Sequence, residues 1–165
     1  MDETQEAEQY KQAIITALRL LAASPKSGTE LRKKLAAKGY TGAVIDRALK
    51  DLAAQGILDD SVYAQDLMTR LTQFKAAGKH RVAFELKRHG VPVKIRNELL
   101  GTITPEDEST RALEQARLKW ASWSKLDPRK RKKRLYDFLI RKGYDFQIAQ
   151  DVLMKFDHES ISDGI

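Results

Sequence analysis

LRKKLAAKGYTGAVIDRALKDL, residues 31–52, returns twice in altered form, as VAFELKRHGVPVKIRNELLGTI at 82–103 and as LYDFLIRKGYDFQIAQDVLMKF at 135–156. Gly39, Gly90 and Gly143 set the register, 51 and 53 residues apart. Eight residues before each glycine stands Leu31, Val82 or Leu135, and four before it Leu35, Leu86 or Leu139. Five, ten and thirteen after it stand Val44, Leu49 and Leu52, then Ile95, Leu100 and Ile103, then Ile148, Leu153 and Phe156. Every aligned position is apolar at helical spacing, and self-similarity at a fixed period signals a repeat architecture.

The glycines recur for a backbone reason. A helix commonly stops on a left-handed residue, and glycine enters that region without a Cβ clash. In such a stop the following residue packs on the one four before the glycine, which pairs Tyr40 with Leu35, Val91 with Leu86 and Tyr144 with Leu139. The next helix starts at once, from Thr41 or Asp145 as N-cap or with Pro92 at its first position. Asp59 or Asp60, Thr104-Pro105-Glu106-Asp107 and Asp127-Pro128 mark further starts.

Working outward, Ile14, Leu18 and Leu21 form one more stripe. Tyr63, Leu67, Leu71 and Phe74 form a second, and Leu113, Ala116, Trp120 and Trp123 a third. No strand pattern appears. The expected fold is all-α: about nine helices in an extended, curved array of three tandem three-helix units, with a compact nine-helix bundle as the alternative. The units are placed at 10–57, 58–103 and 104–156, with flexible acidic tails at 1–9 and 157–165.

Composition narrows the chemistry. The 165 residues include no cysteine and three histidines, which excludes disulfide scaffolds, thiolate metal sites and thiol nucleophiles. No apolar run approaches the ~20 residues of a membrane span, and the acidic start is unlike a secretory leader, so a cytoplasmic chain is expected. His80 and His89 are nine apart, too far for a helical zinc pair. Neither GxxxxGK nor GxGxxG occurs, which leaves no phosphate-cradling loop. Asp59 and Asp60, with Asp66 beyond, fit a metal pair of a nuclease less well than a helix start, where carboxylates satisfy free N–H groups. Glu85 and His89 are spaced for a minor surface contact. Neither catalysis nor a cofactor is expected.

The net charge of +7 is concentrated. Residues 61–103 carry +5 and 129–156 carry +6, whereas 1–28 and 104–128 carry −1 each. Arg129, Lys130, Arg131, Lys132, Lys133 and Arg134 are consecutive, and with Arg141 and Lys142 they dominate the third unit. Like charges so crowded destabilise a helix on their own, which points to a phosphate or carboxylate partner. Lys79, Arg81, Lys87, Arg88, Lys94 and Arg96 form a looser second patch. Trp120 and Trp123 are expected to pack between units rather than stack on bases, and Phe84 stands off the apolar stripe.

Three segments resemble the RecX family: Ser27–Leu35 with its Gly39-Tyr40 ending (SGTELRKKL…KGY), Gly56–Ala64 (GILDDSVYA) and Gly78–Gly90 (GKHRVAFELKRHG). Residues 134–153 (RLYDFLIRKGYDFQIAQDVL) are similar to the family's closing segment, so the likeness runs over roughly 10–156. It implies three tandem three-helix units and a regulator, mainly an inhibitor, of RecA and its DNA filament, acting on ATP hydrolysis, strand exchange and the SOS response, with direct binding of single- or double-stranded DNA as a further expectation. It implies a monomer without cofactor. Gly39, Asp59, Asp60, Tyr63, Gly90 and Gly143 become the structural signature, and the two basic patches the contact candidates. His80 departs from the family, which often has proline there. The rival reading is a stand-alone DNA-binding protein built from helix-turn-helix-like repeats, and against it the third helices are poor in base-reading side chains.

Overall fold

The computed structural model describes the backbone of residues 3–162 and the side chains of 4–156. Among these residues the chain forms nine α-helices and no strand: α1 (Glu3–Ala23), α2 (Gly28–Ala37), α3 (Gly42–Ala54), α4 (Asp60–Thr69), α5 (Lys79–Arg88), α6 (Val93–Gly101), α7 (Pro105–Ser122), α8 (Pro128–Lys142) and α9 (Phe146–Ser162). The all-α expectation holds. Helix α1 reaches back to Glu3, into the segment expected as a tail. The side chains of 157–165, including His158, lie outside the described residues.

Two compact units emerge, Met1–Leu67 with Leu86–Arg96, and Met68–Glu85 with Asn97–Ile165. In the first, α1, α2 and α3 pack pairwise around Ala17, Leu31, Leu35, Ile45, Leu49 and Leu52. In the second, α7, α8 and α9 pack pairwise around Ala112, Ala116, Leu135, Leu139, Ile148 and Val152. Of the aligned apolar positions only Ile95, Leu100 and Leu153 escape full burial.

The glycine stops behave as expected. Gly39, Gly90 and Gly143 have φ of +89°, +70° and +87°. The next N–H of Tyr40, Val91 and Tyr144 donates to the carbonyl of Leu35, Leu86 and Leu139 at 3.4, 3.0 and 3.2 Å. Thr41, Thr104, Asp127 and Asp145 all cap the helices that follow them. Pro92 sits one place earlier than expected, outside α6, where its carbonyl accepts from Arg96 N–H at 3.0 Å.

Phe74 leaves the stripe assigned to it. Residues Arg70–Phe74 widen into a π-helical turn, so the phase slips after Leu71 and Phe74 is 80% exposed. After it Ala76 takes φ +47°, and its carbonyl accepts from the buried Tyr144 hydroxyl at 2.7 Å. Burial pushes that phenol up to about 12, against the opposing charge of Arg111.

Each unit also contains a joint between the start of one middle helix and the glycine stop of the next, and the two joints match residue for residue. In the first, Gly28 N–H donates to Asp60 at 2.7 Å, Ser27 Oγ to His89 O at 2.5 Å and Thr29 Oγ1 to Gly90 O at 2.8 Å. In the second, Lys79 N–H donates to Glu108 at 2.7 Å, Gly78 N–H to Lys142 O at 2.9 Å and His80 N–H to Gly143 O at 3.0 Å. A carboxylate from the following first helix thus caps each middle helix, and side-chain hydroxyls in one joint are replaced by backbone N–H groups in the other. Asp60→Ala and Glu108→Ala are each expected to cost about 1–2 kcal/mol in urea unfolding, with the buried Glu108 at the upper end.

The first joint adds an ionisable cluster. Glu30 closes a capping box with Ser27 and meets His89 Nδ1 at 2.7 Å, and the Tyr63 hydroxyl lies 2.9 Å from the same nitrogen. Burial raises the Glu30 carboxyl, but the hydrogen bonds from His89 and Ser27, the His89 charge and the Tyr63 hydroxyl outweigh it and hold the group low. Its contribution is therefore complete above the ordinary value of 4.5 and is lost as pH falls through the lowered folded value. Glu30→Gln should flatten that acid limb when unfolding free energy is followed from neutral to acid pH.

Candidate functional site

The cationic run lies on the first two turns of α8. Asp127 starts that helix, accepting from the N–H groups of Arg129 and Lys130 at 3.0 and 3.3 Å, and Pro128 supplies its first position. Helices α2 and α5 begin eleven residues before their glycines, whereas α8 begins fifteen before Gly143, a full turn earlier. Cations at a helix start oppose the macrodipole, so helix formation gains nothing from their charge there.

Two of the six are tied to α7. The Arg131 guanidinium lies 3.8 Å from the centre of the Trp120 ring and donates through both Nε and Nη2 to the Trp120 carbonyl. Three residues on, Arg134 lies 4.8 Å over Trp123. The tryptophans pack inside one three-helix set, where Trp120 leans on Phe156 at 5.0 Å and Trp123 sets its edge to Phe138 at 6.1 Å. Lys142 donates to Lys75 O at 2.6 Å, and burial followed by the like charge of Lys119 lowers its ammonium. Lys132 is partly buried.

That leaves Arg129, Lys130, Lys133 and Arg141 exposed and, among the described residues, in no ion pair. Lys130, Lys133 with Arg134, and Arg141 recur at helical spacing along one side of α8, roughly 16 Å from first to last, with the partly buried Asp137 between Arg134 and Arg141. Such a stripe suits a row of phosphates or carboxylates.

The looser patch draws on both units. Lys79 and Arg81 belong to the second unit, and Lys87, Arg88, Lys94 and Arg96 to the first. Arg81 is committed to the buried Glu85 at 2.6 Å and lies 5.5 Å over the 56% exposed Phe84. The spacing of Glu85 and His89 suggested a bland surface pair, but Glu85 is buried and His89 belongs to the Glu30–Tyr63 cluster. That cluster was legible as a capping box in Ser27-x-x-Glu30. His80 Nε2 faces Asp145 at 3.4 Å. The Asp145 carboxyl is held low first by the Gln147 N–H and then by His80.

Asp59 caps α4 through the N–H groups of Ser61 and Val62, and Asp60 caps α2, so both carboxylates do helix-start work. Among the described residues no group of three or more His, Asp or Glu is placed to hold a metal, and no helix is long and apolar enough to cross a membrane. On α3, Asp46 pairs with Arg32 at 2.5 Å and Arg47 lies 4.4 Å over the Tyr10 ring, so this third helix offers little for reading bases.

The model of the first three-helix domain of RecX matches residues 13–52, and that of its third three-helix domain matches residues 106–153. The regulatory protein RecX of Pelodictyon phaeoclathratiforme is 31% identical over 141 residues, covering 86% of this chain and 86% of that protein. The regulatory protein RecX of Clostridium perfringens is 32% identical over 142 residues, which span 66% of its length. The crystal structure of RecX from Lactobacillus salivarius superposes with a TM-score of 0.82 over 92% of this chain and 98% of its own, at 17% identity. With a repeated helix–glycine stop–helix unit, two domain models in their proper order and full-length relatives above 30% identity, the chain belongs to the RecX family.

Proposed function

We propose that this protein regulates RecA: it binds RecA and the RecA–DNA filament, and it modulates, mainly by inhibition, ATP hydrolysis, strand exchange and SOS-related activity, without catalysing a reaction itself. Family membership supports the regulatory role. The observation that carries the contact is the exposed stripe Lys130, Lys133, Arg134 and Arg141 along α8, which begins at a helix start where positive charge opposes the dipole. In this reading the stripe meets the acidic protein surface or the DNA backbone of the filament, and its field concentrates the protein there. Arg129 extends it, while Arg131 and Lys142 hold the helix in place beneath it. Further contacts from the first unit, among them Lys87, Arg88, Lys94 and Arg96, would add avidity without demanding that any one be tight. A filament gripped at several points resists the subunit motions that its activity needs.

The test is RecA's DNA-dependent ATPase and strand exchange with the protein added. Inhibition at stoichiometric amounts is expected, and no effect in excess would sink the reading. Tight, sequence-selective DNA binding without RecA would instead establish the stand-alone DNA-binding alternative.

A further inference from the structure

We propose that the cleft at the start of α4 docks a basic, apolar-stemmed segment of a partner protein. The cleft holds about 300 Å³ and lies within the first unit, between the end of α1, the turn after α3 and the first turns of α4. Leu21, Pro25, Ile57 and Val62 give it apolar walls, and Ile57 and Val62 are 45% and 58% exposed. Asp59 and Asp66 stand among the same lining residues. Asp59 spends Oδ1 on the α4 cap, leaving Oδ2 open, and Asp66 is exposed. Neither is in an ion pair among the described residues.

The one cation in the lining offsets only one of these two carboxylates, which leaves an excess of negative charge. The Lys26 ammonium is spent on the carbonyls of Leu20 and Ser24 and the Ser24 hydroxyl, at 2.7, 2.8 and 2.6 Å. In a chain of net charge +7 the cleft is therefore apolar with a negative rim. That combination fits an arginine or lysine whose methylene stem lies along Ile57 and Val62 while its head meets the carboxylates. The chain's own acidic segments at 2–8 and 157–163 carry the wrong charge to fill it. The basic run of α8 in a second copy has the right charge and the same methylene stems, but across 129–134 it has no wholly apolar side chain to fill the space between Leu21, Pro25, Ile57 and Val62. An external amphipathic segment satisfies both demands. This inference is independent of RecA being the partner, and its preference is opposite in charge to that of the α8 stripe.

The probe is a fluorescein-labelled amphipathic helical peptide of about 15 residues with leucine and arginine on one face, set beside the same peptide with glutamate for arginine. Anisotropy titration of the full chain should give saturable binding of the arginine peptide alone, with amide shift changes confined to residues 21–26 and 56–66 in NMR. Asp66→Lys and Val62→Glu, both at exposed positions that leave the helix intact by circular dichroism, should each weaken binding about tenfold. Unchanged affinity in both variants, equal binding of the glutamate peptide, no saturable binding, or shifts on α7 and α8 would overturn the proposal. So would sedimentation showing a dimer that Asp66→Lys dissolves, because the occupant would then be a second copy.

Discussion

Gly143→Ala is expected to destabilise the second unit by about 3 kcal/mol or more, and Gly90→Ala to weaken the first nearly as much, whereas Gly39→Ala costs about 1 kcal/mol. All three glycines are left-handed, so each pays the same local penalty for a Cβ. They differ in what that Cβ meets. At Gly143 it overlaps the backbone of Arg81, which cannot yield without opening the joint. At Gly90 it comes within 2.5 Å of Thr29 Cβ and Cγ2. Gly39 has nothing within 4 Å. Urea unfolding of the three variants decides the matter, and equal losses at all three would show that close approach contributes nothing beyond the backbone angle.

The second large effect concerns binding. Reversing Lys130, Lys133 and Arg141 together to glutamate should raise the amount of protein needed to inhibit RecA's ATPase by about 100-fold or more at low salt, with the thermal unfolding midpoint unchanged. If phosphates are the partner, neutralising the same three residues to alanine should lower the salt slope of binding by about 3. Arg131→Ala should behave oppositely, losing about 1–2 kcal/mol of stability through its Trp120 stack and carbonyl bonds with little effect on the slope. Inhibition that survives the triple reversal would move the contact off α8.

The contrast between Arg131 and its neighbours marks where reading the sequence ended. Helix periods, glycine stops and caps are local, and Leu35, Gly39-Tyr40 and Thr41 announce theirs within a few residues. Long-range partnerships are not local. Nothing in RKRKKR distinguishes the arginine that covers Trp120 from the lysine beside it, because the distinction depends on the angle at which α8 crosses α7. The π-helical slip at Arg70–Phe74 was equally hidden, since Leu71 and Phe74 keep a helical spacing that the backbone then abandons. The glycines were legible as stops and not as contact points, because the neighbour that crowds Gly143 lies 62 residues earlier, at Arg81. Ser27 and Glu30 were recoverable, and the capping-box spacing was their signal.

The extra turn of α8 also bears on what can seat against the start of that helix. Each joint needs a middle helix that starts on small residues, Ser27-Gly28-Thr29 or Gly78, so that the next glycine corner can approach its backbone. Counted from Gly143, the corresponding places in the third repeat are Arg131, Lys132 and Lys133, already inside α8. A second molecule presenting its uncovered Gly39 corner there would bring Lys38 against a wall of long cationic side chains. Tandem repeats with complementary ends are prone to head-to-tail polymerisation, and terminal units with charged outer faces suppress it. The basic turn therefore makes the start of α8 an electrostatically poor seat for another glycine corner.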